Sequence, residues 1–138
     1  MTLLTHLRFV GVIMAVLVIV NLFVPGRLRW REELARVSLV NRQIFQVHTV
    51  FIILILAMFA VLLLTSADAL LEPTRLSRLI LGVLTIFWGL RMLTQWFYYS
   101  PAIWRGDRFN TTMHGIFSVA WVYVTAVLGA AFWSITAH

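Results

Sequence analysis

Residues 44–65 read IFQVHTVFIILILAMFAVLLLT, and from Val50 to Leu64 every side chain is apolar. A helix that crosses the hydrocarbon core of a bilayer needs about 20 predominantly apolar residues, within a range of about 17–25. This stretch is long enough and carries no charge. Three more segments of the same kind flank it, at about Phe9–Val24, Leu79–Tyr98 and Met113–Ile135. The first is at the short limit, and Pro25-Gly26 marks its expected end as a helix. The pattern predicts an all-α, integral membrane four-helix transmembrane bundle with left-handed packing, formed by residues 1–138 as one transmembrane domain. Gly11, Gly82, Gly89, Gly115 and Gly129 are its candidate close-packing points.

Composition points the same way. The chain of 138 residues is 62% hydrophobic and 12% charged. A soluble domain is about 45–50% apolar and about 25% charged. The absence of cysteine excludes disulfides, thiolate metal sites and thiol nucleophiles. The net charge is +6, and every basic residue is Arg. These Arg residues flank the apolar runs, which suits topology determinants and anionic lipid headgroups. The aromatic residues lie inside the runs and not among the Arg residues, so no nucleic-acid stacking surface is expected.

Loops 25–43 and 99–110 carry Arg27, Arg29, Arg31, Arg36, Arg42, Arg105 and Arg108, against Arg8, Arg75 and Arg78 on the other side. The positive-inside rule then places these two loops in the cytoplasm and both termini outside, as in a bacterial inner membrane protein. The first span has the wrong charge order for a cleaved secretory signal, with Arg27, Arg29 and Arg31 after it, and is expected to be retained. Trp30, Trp104 and Trp133 fall where interfacial anchors belong. Segment 27–38 is a candidate interfacial amphipathic helix.

Two stretches nearly repeat. Arg42 precedes His48-Thr49-Val50-Phe51 by the same spacing that separates Arg108 from His114-Gly115-Ile116-Phe117. Val10-Gly11-Val12 and Leu81-Gly82-Val83 match in the preceding spans. The alternative architecture is therefore two tandem helical hairpins.

Function is written, if anywhere, in the polar residues at membrane depth, because such groups are costly there. Arg91 and Gln95 share a face of the third span, with Tyr98 and Tyr99 a turn further on. Asn41, Gln46 and His48 open the second span, while Asn110, Thr111, Thr112 and His114 open the fourth, with Ser118 deeper. Asn21 ends the first. All four spans are thus expected to bring polar groups to one layer near the cytoplasmic face.

Three readings follow. Interhelical hydrogen bonds fix packing while Arg91 snorkels. Alternatively, His48 and His114 act as axial ligands to the iron of a b-type haem, or one of them holds a pigment. Phe45, Phe51, Phe117 and Trp121 would then line the ring, and Arg42, Arg91 and Arg108 would meet its propionates. In the third reading His, Arg, Gln and Tyr hold the head of a lipid or quinone. No carboxylate lies within a span, so paired-carboxylate catalysis is not expected. The overall expectation is a small subunit or binding module within a larger membrane assembly, with protein partners or further copies of itself. A membrane enzyme on a lipophilic substrate ranks below it.

The four spans, the basic first loop and the length resemble the membrane-associated eicosanoid and glutathione metabolism superfamily. That family has an Arg-x-x-Asn-x-x-Glu-like signature in its second helix. Here the stretch reads Asn41-Arg42-Gln43-Ile44-Phe45-Gln46-Val47-His48, without the acid, and the glutathione site does not carry over. Small multidrug exporters need a Glu in the first span, which is also missing.

Overall fold

The structure, a computed structural model, describes residues 2–27, 30–100 and 108–137, with Val24, Arg27 and Arg31 described by their backbone only. Among the described residues there are helices and no strands. They are α1 (Leu3–Arg27), α2 (Trp30–Leu34), α3 (Leu39–Thr65), α4 (Ala67–Leu70), α5 (Arg75–Phe97) and α6 (Arg108–Thr136). The fold is all-α, and α1, α3, α5 and α6 are long and apolar enough to cross a membrane, as in an integral membrane protein.

Helix starts are set by polar caps, which hydropathy alone does not locate. The Ser38 hydroxyl accepts from the Asn41 N–H at 3.4 Å, so α3 begins at Leu39, before its apolar stretch does. Thr74 accepts from the Ser77 N–H at 3.1 Å and caps α5. The Ser77 hydroxyl donates to the Ala69 carbonyl at 3.0 Å, tying α4 to α5. Such caps each supply a partner for a first-turn N–H that has none within the helix. Pro25-Gly26 does not stop α1, which runs on to Arg27. Proline removes one N–H···O bond and crowds the carbonyl four residues earlier. With only two residues following, that loss falls in the last turn.

The chain divides into two compact units, residues 8–66 and residues 1–7 with 67–138. In the first, Gly11 lies close against α3. A Cβ there would come within 2.9 Å of Leu64 Cγ and 3.1 Å of Leu63 Cβ. Of the amphipathic helix expected over 27–38, the described residues show the short helix Trp30–Leu34.

In the second unit α5 and α6 form a hairpin. The buried residues of α6 include Trp121, Val124, Leu128, Ala131 and Ile135, at alternating spacings of three and four. That is the repeat of a left-handed helix seam. Leu81, Leu84 and Trp88 oppose it from α5. A Cβ added at Gly82 would lie 3.2 Å from the Phe132 ring, one at Gly89 3.7 Å from Thr125, and one at Gly129 3.6 Å from Thr85. Gly115 is not a packing point, since nothing lies within 4 Å of where its Cβ would be. At the N-terminal end, His6 Nδ1 and the Tyr123 hydroxyl are hydrogen-bonded at 2.7 Å. Trp133 is 71% exposed, while Trp104 lies outside the described residues.

Candidate functional site

The α5–α6 hairpin carries a polar relay. Arg91 and Gln95 are one turn apart on α5, and Arg91 Nη1 donates to Gln95 Oε1 at 3.3 Å. Arginine can only donate, so this bond fixes which end of the Gln95 amide is oxygen. The amide nitrogen then faces α6 and donates to His114 Nδ1 at 2.8 Å. Gln95 is only 5% exposed, so both ends of a buried amide are satisfied.

Aromatic rings close the site. The Arg91 guanidinium carbon is 5.1 Å from the centroid of Trp121 and 5.8 Å from that of Tyr99. Trp121 stacks on Trp88 at 5.0 Å and on Phe117 at 6.0 Å. A cation over an indole face is attracted by its quadrupole, more strongly where water is excluded. Arg91 therefore snorkels along α5 toward Gln95 and Tyr99 while its charge rests against α6. Among the described residues it has no carboxylate partner. It also has four further N–H donors. One turn below, two polar atoms on the same face of α6 are buried without a hydrogen-bond partner: Trp121 Nε1 and Thr125 Oγ1.

Asn21, Arg42 and His48 belong to the first unit. The side chain of Asn21 donates to its own helix at Leu17 O, 2.8 Å away. His48 is exposed on α3, and its Nδ1–H donates to Ile44 O at 2.8 Å. Arg42 is half-buried in the first unit, and Arg108 is exposed at the start of α6. Within the second unit, the predicted residues brought together are Arg91 and Gln95 of α5 and His114 of α6. Sequence reading passed over Trp88, although it lies on the Arg91–Gln95 face by helical spacing.

The tautomers bear on haem. An axial imidazole offers one nitrogen lone pair to iron and keeps its proton on the other, usually donating it to a carbonyl or carboxylate. His48 has that arrangement, with Nδ1–H on Ile44 O. His114 has the reverse: Nδ1 accepts from Gln95, so the neutral ring carries its proton on Nε2. Ligation would require the Gln95 amide to turn, at the expense of its bond from Arg91. No protein-family model, curated protein or solved structure matches the chain.

Proposed function

We propose that this chain is a small integral membrane binding module that works within a larger membrane assembly. Its ligand is an amphipathic molecule, a lipid or quinone, whose acceptor-rich head meets Arg91 on the α5–α6 hairpin. Loops 25–43 and 99–110 face the cytoplasm in this reading. One observation carries it: a guanidinium in a membrane-length helix with one N–H engaged and, among the described residues, no carboxylate opposite. A charge withdrawn from water, even the half-buried one of Arg91, is costly unless it is paired. The aromatic faces of Trp121 and Tyr99 compensate part of that cost. A head with several acceptors completes it, and the relay through Gln95 to His114 holds the guanidinium ready.

The test uses protein purified in a neutral maltoside detergent, with unfolding followed by tryptophan fluorescence. Oleate, lysophosphatidate and decylubiquinone are titrated in turn. The expected result is saturable stabilisation by at least one of them, weakened at least about tenfold in Arg91→Gln, since a hydrogen bond to a charged group contributes about 1.5–3 kcal/mol. Indifference of the wild type to all three removes the reading.

A further inference from the structure

The first unit has a second site, independent of the reading above. Where the C-terminal end of α1, the turn α2 and the start of α3 meet, the surface forms a recess of about 580 Å³. One wall is a stripe of α3 bearing Arg42, Gln43 and Gln46, and the other carries Trp30 and Leu34 from α2. Trp30 packs edge-on against Phe45 at 4.7 Å, which anchors the second wall to α3.

Depth places this recess. α3 has 27 residues, and a helix rises about 1.5 Å per residue, giving about 40 Å. The hydrocarbon core is about 30 Å thick. If Thr65 lies at one boundary, the first turns of α3 stand at the other, among headgroups. Polarity falls along the stripe from Arg42 to Gln46 one turn deeper and then to Val50, which also lines the recess. A phospholipid has the same order of polarity: charged phosphate, hydrogen-bonding ester region, apolar chain.

Charge singles out the ligand's sign. The N-terminal end of a helix carries positive potential and favours acids in its first turn. α3 has no acid there and has Arg42 instead. The surrounding segment 25–43 has five Arg residues against Glu32 and Glu33. Among the described residues the side chains of Arg42, Gln43 and Gln46 make no hydrogen bond or ion pair, although they line one recess. An anion between the α3 N-terminus and Arg42 relieves this unfavourable pairing.

We propose that this recess binds one anionic phospholipid, with its phosphate on Arg42, its ester region beside Gln46, and its chain along Leu34 and Val50. The full chain in dodecyl maltoside, kept monodisperse by size exclusion, is titrated with dioleoyl phosphatidylglycerol or dioleoyl phosphatidylcholine. Bound lipid is counted by native mass spectrometry. One phosphatidylglycerol is expected to be retained at least about tenfold more tightly than phosphatidylcholine. Arg42→Gln should abolish the preference, and Arg42→Lys should keep part of it. Arg36→Gln, an exposed loss of the same charge, should leave it intact. Equal losses in Arg42→Gln and Arg36→Gln would mean diffuse attraction and no site. Full competition by inorganic phosphate would make the ligand a free anion, and equal retention of the two lipids would also overturn the proposal.

Discussion

Gln95 on α5 donates its amide to His114 Nδ1 on α6 at 2.8 Å, and it can do so only because Arg91 claims the amide oxygen. The three residues act as one unit. Removing the middle one leaves a guanidinium and an imidazole nitrogen without it. Interhelical bonds in membranes average about 0.6 kcal/mol and reach about 2 kcal/mol, and buried groups left unpaired cost about 1–3 kcal/mol. Gln95→Leu should therefore lower stability by about 1–3 kcal/mol, read as an earlier unfolding midpoint in a denaturing-detergent titration. Gln95→Glu should cost less, because the carboxylate still accepts from Arg91 and accepts from a protonated His114. Equal losses in the two variants would mean that the relay contributes shape alone.

The same tautomer argument predicts colour. Protein expressed with haem available and purified in mild detergent should show no sharp Soret band, oxidised or reduced by dithionite. A band that shifts on reduction and disappears in both His48→Ala and His114→Ala would mean that Gln95 turns to let His114 ligate.

How much of this was legible in the sequence follows from what each signal measures. Hydropathy found the four spans because a bilayer demands length and apolarity from each helix separately. It missed the true start of α3 at Leu39, and α6 is already helical at Arg108, because polar first turns are helical without being apolar. The i, i+4 pair Arg91 and Gln95 was readable as one face. Its partner His114 was readable only as a residue of similar depth. His48, at matched depth by topology, is exposed and bonded to its own helix, because depth does not fix the angle around the axis. The recess beside Arg42 depends on α2, which the sequence signalled as an amphipathic stretch over 27–38 without showing that it would wall a recess against α3.

The glycines offer a paired test. A Cβ at Gly11 meets Leu63 and Leu64 at 3.1 Å or closer, and one at Gly115 meets nothing within 4 Å. Overpacking costs about 1–3 kcal/mol, whereas Gly→Ala at an open helical site gains about 0.5–1 kcal/mol in propensity. Gly11→Ala should destabilise and Gly115→Ala should be neutral or stabilising, both by thermal unfolding in detergent. The reverse order would contradict the close approach of α1 and α3.

Orientation can be checked without background, because the chain has no cysteine. Under the proposed topology Arg36→Cys should react with a membrane-impermeant maleimide only after cell lysis, and Glu72→Cys should react in cells whose inner membrane is intact. Both positions are exposed at helix ends. The opposite pattern would invert the topology and place the Arg42 recess in the outer leaflet.

Trp121 separates packing from binding. Its ring is 5% exposed, stacked between Trp88 and Phe117 with Arg91 against it, yet its Nε1 has no hydrogen-bond partner. Truncation to Ala should cost about 3–5 kcal/mol through lost volume and stacking. Trp121→Phe keeps a ring in the stack and deletes the orphaned donor, whose burial is itself unfavourable. It also weakens the cation–π contact, by about 0.5–1 kcal/mol. These opposing terms should leave unliganded Trp121→Phe within about 1 kcal/mol of wild type by thermal unfolding. If the ligand's second acceptor lies at Trp121 Nε1 beside Thr125 Oγ1, the same variant loses about tenfold in affinity for the stabilising amphiphile while its stability barely moves. Unchanged affinity would confine the head to Arg91, and a large loss of stability without ligand would show that the indole is needed for packing.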